Sequence, residues 1–412
     1  MFQLLRHNRD LRLLFCAQVI SFLGDWFLFV ALAGYIDDVT ESELLVSLVL
    51  VSMSLPSFLA SPLAGPVVDR VDRHRLLVTV LLTQAIAASG LLLLSGDRIW
   101  VAFVFQGTVA ALAAFVKPAI DAAVPNLARS TDELRTANAI FGSTWGVMLA
   151  VGAGLGGLFS QAFGRRAAIV ADVVTFVVAA ALVAGIRRPL QRDTEERGKR
   201  QVRPIADMGE AIAVARRDPV ILALMGSKAT FAIGAGVVSQ LAVLASEVYG
   251  AGDRGRGLLL AARGVGAGLG PIVATRWVAG DIRRVLTLCG WAAILFAGAY
   301  IGAAWAATFV LALVFVTLAH LGGGAQWTLS TYGLQLRVDD AVLGRVMAGD
   351  FALVTLVVSV TSIAAGALSS AIGVQAAITV FASAAAAAGT SYLLLTRNLR
   401  RVATVRALQE AQ

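Results

Sequence analysis

Gly65-Pro66-Val67-Val68-Asp69-Arg70-Val71-Asp72-Arg73-His74-Arg75 sets five charged residues within seven positions, between an apolar run ending at about 68 and another beginning at about 76. A hairpin of this kind joins two segments that each have the length and hydropathy to cross a bilayer. Reading outward from it, apolar runs of about 20 residues recur twelve times: at about 11–36, 43–68, 76–96, 99–121, 137–162, 166–186, 218–246, 257–279, 284–304, 306–331, 343–371 and 374–396. The composition agrees, with 58% hydrophobic and 15% charged residues over 412 positions, against about 25% charged in soluble domains. The runs lack the alternating polar pattern of a barrel, and lipid satisfies no backbone group, so every span must be a helix. The expected fold is an all-α integral membrane protein with twelve transmembrane helices.

Lys and Arg give the orientation. With the N-terminus inside, 27 of the 34 basic residues fall in cytoplasmic segments, among them Arg6, Arg9, Arg12, Arg70, Arg73, Arg75 and the group from Arg187 to Arg217. The outer loops keep Arg98, Arg165, Arg166, Arg254 and Arg256 beside the acids Asp37, Asp38, Glu41 and Glu43. Both termini are therefore expected in the cytoplasm. The net charge of +8 is then explained by topology and anionic headgroups, with no nucleic-acid partner required. The first run is too long for a signal-peptide core and is read as the first span. Arginine outnumbers lysine 31 to 3 and alanine is abundant, a composition that hints at a high-GC bacterial source, and the expected location is a bacterial cytoplasmic membrane. Cys16 and Cys289 sit in separate apolar runs and read as small packing residues, not as a disulfide or metal set.

The chain divides at a mixed-charge segment that begins Arg187-Arg188-Pro189 and holds Asp193, Glu195, Glu196, Lys199 and Arg200. The expected organisation is a six-helix half over 1–186, a cytoplasmic linker over 187–217, a second six-helix half over 218–396, and a cytoplasmic tail over 397–412. A helix at the membrane surface is expected at about 205–217. A 6+6 plan suggests two homologous halves related as a parallel repeat.

The hairpin carries more than positive-inside anchoring. Gly65 permits close helix approach, Asp69 suits a cap or an ion pair, and Arg70, Arg73 and Arg75 suit headgroup contacts. Its pattern, Gly-x-x-x-Asp-Arg-x-x-Arg-x-Arg, resembles the signature between the second and third helices of the major facilitator superfamily, and the likeness extends over essentially the whole chain. The resemblance implies that Gly65, Asp69, Arg70, Arg73 and Arg75 act as a conformational latch. A counterpart in the second half, at Arg276, Gly280, Asp281, Arg283 and Arg284, is degenerate. Three further stretches, Gln18 to Trp26, Gly257 to Gly266 and Leu343-Gly344-Arg345-Val346, resemble bacterial exporters of the macrolide-efflux and enterobactin-exporter group. What this implies is proton-coupled export of amphipathic molecules.

Two motifs depart from the family. Gly152-Ala153-Gly154-Leu155-Gly156-Gly157 has Ala153 where the antiporter signature has proline, so the proline-linked kink is expected to be absent. Phe103 stands where the signature ending at Gln106-Gly107 has arginine, so no proton relay through that arginine carries over.

Ionisable residues inside spans each cost several kcal/mol unless paired or hydrated. Asp25 lies near the middle of the first run, which lines the central cavity in this family, and it suits a group that takes up and releases a proton; a packing carboxylate is the alternative. Lys228 and Asp350 each fall about two turns from a cytoplasmic helix end and suit an ion pair, permanent or broken during transport. Arg263 suits a carboxylate or an anionic group, while Asp172 reads as structural. His320, ahead of Gly322-Gly323-Gly324, is either a titrating group or a hydrogen-bonded packing residue. Gln18, Trp26, Gln106, Gln240, Gln326 and Trp327 are candidates for polar and aromatic cavity contacts or for interhelical hydrogen bonds.

No nucleotide loop, metal cluster or nucleophile motif competes, so neither enzyme activity nor a cofactor is expected, and the proton gradient is the energy source. The expected function is a monomeric exporter of amphipaths by alternating access, with protons and membrane lipids as its other partners. A carrier for one metabolite, lipid or siderophore, and a non-transporting sensor or scaffold on the same fold, stand as alternatives.

Overall fold

A computed structural model describes residues 2–40, 43–191, 204–278 and 280–401. The linker acids and bases at 193–200, the tail beyond 401 and Glu41 therefore lie outside the described residues. Among the described residues there is no strand. The helices are α1 (Phe2–His7), α2 (Arg9–Thr40), α3 (Glu43–Arg70), α4 (Arg73–Gly90), α5 (Trp100–Leu127), α6 (Thr131–Phe163), α7 (Arg165–Ala184), α8 (Pro204–Arg217), α9 (Pro219–Ala235), α10 (Gly252–Thr275), α11 (Ile282–Ala304), α12 (Phe309–Arg337), α13 (Asp340–Ile372) and α14 (Val374–Leu395).

Among the described residues, eleven helices are long and apolar enough to span a bilayer, and a twelfth is made of Thr131–Gly152 and Leu155–Phe163, which meet at a bend of 46°. The bend is present without the proline that Ala153 replaces. Glycines at 152, 154, 156 and 157 weaken the helix without proline, since a glycine cluster is itself a cause of kinks. Gly152 also abuts the Trp26 ring, and a Cβ added to Gly156 would lie 3.0 Å from the Trp26 carbonyl oxygen.

One compact unit comprises residues 1–129, 151–212 and 339–352. In it α2 packs on α7, α3 on α5, and α4 on both α5 and α7, around a core that includes Leu28, Leu32, Ile36, Leu91 and Ile169. The other unit comprises residues 130–150, 213–338 and 353–412. There α12 packs on α9, α10 and α11, and α14 covers α9 and α11, over a core that includes Leu244, Leu259, Phe296, Tyr300 and Ile378.

Elsewhere the helices turn apolar side chains outward. Ile86 is 72% exposed, Ile363 76% and Leu395 81%, and only 11% of the most apolar window of α13 is buried, at a mean hydropathy of 2.2. In water such a surface would aggregate; in a bilayer it is the wall in contact with lipid.

An internal repeat that the side chains barely record is written in the backbone. Gly164 (φ +86°) opens α7 and Gly373 (φ +85°) opens α14, both in the region that favours glycine. Asp72 caps α4 through the Arg75 N–H, and Asp281 caps α11 through the Arg283 N–H, each at 2.8 Å. Helices α6 and α13 begin at Thr131 and Asp340. Each of these three pairs is separated by 209 positions, so the degenerate second hairpin keeps its capping role although its motif has decayed.

Alternate glycines in α10 allow contact on two faces. A Cβ on Gly264 would lie 2.7 Å from the Ala150 N and 2.8 Å from the Gly146 O, and one on Gly266 would lie 2.9 Å from the Leu321 N. Gly264 and Gly268 thus meet α6, and Gly266 and Gly270 meet α12, backbone against backbone.

Two outcomes test this account. Gly264→Val must separate α10 from α6, and overpacking of this kind costs about 1–3 kcal/mol; the thermal midpoint in detergent is expected to fall by several degrees, and an unchanged midpoint would refute the contact. Burial raises the Asp281 carboxyl, but its bonds from Arg283 and the adjacent backbone outweigh this and hold it below the ordinary value of 3.8. A carboxyl depressed in the folded state contributes stability above its unfolded value and loses it as pH falls. Wild type is therefore expected to out-melt Asp281→Asn at about pH 7, with the gap closing below about pH 4; a gap independent of pH would count against the charge effect.

Candidate functional site

The hairpin quoted at the outset closes on the start of α13. Gly65 and Asp69 lie one helical turn apart on α3, facing the Leu343-Gly344-Arg345-Val346 stretch. A Cβ on Gly65 would lie 2.8 Å from the Arg345 Cα, so glycine is what brings the two backbones together. One Asp69 oxygen accepts from the Gly344 N–H at 2.6 Å; the other accepts from the Arg345 N–H at 3.0 Å and from Arg345 Nε at 2.8 Å. Gly344 matters for the same reason as Gly65, since a side chain there would collide with the Asp69 carboxylate.

Arg73 completes the lock. Its guanidinium donates to Asp340 Oδ1 at 2.7 Å, to the Asp340 carbonyl at 3.1 Å and to the Ala122 carbonyl at 2.9 Å, and stands 3.7 Å from Asp69. Asn126 adds a bond to Asp340 at 2.9 Å. Arg73 and Asp69 are 0% and 2% exposed. This corrects the headgroup role read for Arg73: with its donors spent on buried acceptors, it cannot reach lipid. Arg75, exposed on the first turn of α4, keeps a position fit for that role. Two acids and two arginines thus form a buried, charge-balanced cluster. Asp340, Arg345 and Asn126 were not singled out as its members from sequence; the Gly344-Arg345 pair was visible only as a motif fragment.

Asp25 has the opposite environment. It is half-buried on α2, and among the described residues it makes no ion pair or hydrogen bond. The residues around it hold it in place. A Cβ on Gly24 would lie 2.5 Å from Asp172 Oδ1 on α7, and Trp26 packs under Gly152 and Gly156 while Phe27 stacks on Phe159 at 4.9 Å. Asp172 is fully buried, accepts from the Thr175 hydroxyl at 3.5 Å through Oδ1, and leaves Oδ2 without a partner. Asp172 thus packs against Gly24, the residue next to Asp25, and the two carboxyls come from the paired helices α2 and α7, whereas sequence had separated their roles.

Most of the remaining candidates lie in the second unit. His320 is buried on α12, with Nε2 2.6 Å from the Tyr300 hydroxyl on α11 and its ring edge-on to Phe296. The Arg263 guanidinium on α10 lies 4.9 Å from the Trp145 ring centroid on α6, and its Nε is buried without a partner. Lys228 on α9 donates to the Thr331 hydroxyl at 2.9 Å and lies over the Trp327 ring at 5.0 Å. Asp350 is buried on α13 in the other unit. Gln326 is buried and spends its amide on the Thr230 hydroxyl at 2.8 Å and the Ser227 carbonyl, which ties α12 to α9. Gln240 donates to Ser239 at 2.9 Å, while Gln18 and Gln106 are buried on α2 and α5. Cys16 and Cys289 are both free thiols, and no group of His, Cys, Asp and Glu among the described residues could hold a metal ion.

Residues 14–347 match the sequence profile described as Major Facilitator Superfamily. The chain is 23% identical over 356 residues to a Bacillus subtilis (strain 168) protein named "Putative bacilysin exporter BacE", a likeness covering 84% of this chain and 85% of that one. Its fold resembles the human organic anion transporter MFSD10, with a TM-score of 0.76 at 15% identity over 93% of this chain and 99% of that one. A bacterial homologue of the iron transporter ferroportin gives a TM-score of 0.72 at 14% identity, covering 94% and 99%.

Removing one partner from a buried ion pair costs about 3–5 kcal/mol, because the other charge is left uncompensated. Asp69→Ala and Arg345→Ala are each expected to lower stability strongly, with the double variant less harmed than the sum of the two. Denaturation of all four proteins in detergent measures this coupling; strict additivity would show that the two side chains act independently.

Proposed function

The chain belongs to the major facilitator superfamily, whose members are multi-pass membrane carriers and not enzymes, and on that basis we propose that it exports amphipathic small molecules across a bacterial cytoplasmic membrane, driven by the proton gradient. Alternating access moves the cargo outward, and a proton entering from outside resets the carrier. The arginine-rich helix ends face the cytoplasm, which puts the lock of Asp69, Arg73, Asp340 and Arg345 on the inner side.

The observation that carries the proton assignment is the contrast between two carboxylates. Asp69 is held by two backbone N–H groups and the Arg345 guanidinium, so a proton taken up there would break the lock. Asp25 has no base beside it and a second carboxyl, Asp172, as neighbour. Two carboxyls at one low-dielectric interface do not both carry charge readily, so the pair suits one exchangeable proton. The Gly24 contact and the seating of Trp26 fix the position of Asp25 on α2 while leaving its carboxyl uncommitted.

Export rather than import is supported by the name of the Bacillus relative and by the motif likeness to efflux proteins. A cavity lined mainly by apolar side chains with few polar contacts would hold amphipaths loosely, in keeping with a broad set of cargoes.

Everted vesicles loaded with a pH-sensitive dye test the proposal with lipophilic cations, amphipathic carboxylates, macrolides and siderophores. Wild type is expected to release protons on addition of cargo, and Asp25→Asn to abolish the response, with Asp172→Asn weakening it. An unchanged response in Asp25→Asn would move the coupled proton elsewhere. A response to one compound alone would favour a narrow-substrate carrier, and none at all would favour a non-transporting protein.

A further inference from the structure

The second unit has an unusual charge balance within its helices. In it, residues 219–240, 257–275, 282–304, 309–337 and 353–395 contain no Asp or Glu; their basic residues are Lys228 and Arg263 within the helices and Arg283, Arg284 and Arg337 at helix ends. Lys228 has the Thr331 hydroxyl and the Trp327 ring. Arg263 has no hydrogen-bonding or ion-pairing partner among the described residues, and its Nε is shielded from solvent with nothing to donate to.

Among the described residues no acid pairs with Arg263, and the groups beside it are aromatic. Trp145 comes from α6, Tyr300 from α11 and His320 from α12. Tyr300 and His320 use their facing polar atoms on each other at 2.6 Å, and Phe296 closes the apolar side of that pair. The backbone that carries it is fixed: Gly264 and Gly266, which follow on α10, pack against α6 and α12. Yet the site is open, because Arg263 is only half-buried and the Trp145 ring over it is 44% exposed. A guanidinium on a fixed backbone against an aromatic face, accessible and without a counter-ion, is the chemistry that recognises a planar oxyanion, with the apolar part of the same molecule on the ring.

We propose that Arg263, braced by Trp145 and backed by the Tyr300–His320 pair, is a binding site for the oxyanion head group of an amphiphile, a carboxylate being the best match to the guanidinium fork. The site rests on the carrier reading above and deepens it, because it gives the cargo a charged end. An anionic lipid phosphate shares the same chemistry and is separated from cargo by the test.

The test is equilibrium dialysis of purified full-length protein in an uncharged maltoside detergent, with radiolabelled N-decanoylglycine and its uncharged amide, each corrected for protein-free micelles. Wild type is expected to bind the carboxylate at least about tenfold more tightly than the amide. Arg263→Gln is expected to abolish the preference, and Arg263→Lys, which keeps the charge but loses the fork, to retain part of it. Elution of the variants as single symmetrical peaks excludes misfolding, and Arg263→Lys keeps the question decidable if the glutamine variant does not fold. Equal binding of acid and amide by wild type, or a preference that survives in Arg263→Gln, overturns the site.

Repeating the measurement in phosphatidylcholine nanodiscs with and without phosphatidylglycerol identifies the ligand. Competition by phosphatidylglycerol in wild type alone assigns the site to a lipid head group, and no competition assigns it to cargo; either supports an oxyanion site. Dialysis involves neither protons nor transport. Loss of proton release in vesicles with retained carboxylate preference would therefore fault the coupling assignment and leave this one standing, and the reverse result would do the opposite.

Discussion

A charged side chain inside a bilayer costs several kcal/mol unless something nearby compensates it, and the functional layout of this protein follows from how each buried charge is treated. The Asp69 carboxylate is compensated completely: two backbone N–H groups and one guanidinium hold it, and Arg73 stands behind them with Asp340 as its own counter-ion. That closure demands glycine at 65 and at 344, because only there can the two helices come near enough for a carboxylate to reach a backbone N–H. The hairpin is therefore a device for joining α3, α4 and the start of α13, and its conspicuous arginines are only partly about lipid.

Other charges are left open. Asp25 has a second carboxyl as its neighbour and no base, and Arg263 has aromatic rings and no acid. In a fold that compensates Asp69 so fully, these open groups of opposite sign are the ones to which we assign a partner arriving from outside: a proton in one proposal, an anionic head group in the other. Both are held by close-packed glycines beside them, Gly24 in α2 and Gly264 with Gly266 in α10. A group that must meet a transient partner needs a fixed position, and glycine contacts supply it without adding a competing side chain.

The two halves of the chain preserve geometry longer than they preserve side chains. The 209-residue spacing links two positive-φ glycines, two aspartate caps and two helix starts, while the residues that form the lock have no matching set in the second half. Capping and left-handed backbone are constraints of local conformation, which few residue types satisfy. Ion clusters depend on what lies opposite and are free to change once one copy of the lock suffices.

Sequence alone determined that the chain is a bundle of about twelve membrane helices, because hydrocarbon thickness and the demand for internal backbone hydrogen bonds leave no other solution for twelve apolar runs. It also determined where the informative residues lie: Gly65 to Arg75, Asp25, Arg263 and His320 all stand out as breaks in an apolar pattern. It did not determine the partners. That Asp69 reaches Gly344 and Arg345, that Arg73 is buried, that Asp172 adjoins Asp25 and that Trp145 lies over Arg263 are facts of pairing between helices far apart in sequence. The helix bend at 152–155 was likewise not legible, since a missing proline can be read in one dimension and the joint effect of four glycines against Trp26 cannot. Tertiary structure decided these points because the energy of a buried charge depends on the atoms within a few ångströms of it, and no periodicity along the chain records which helix supplies them.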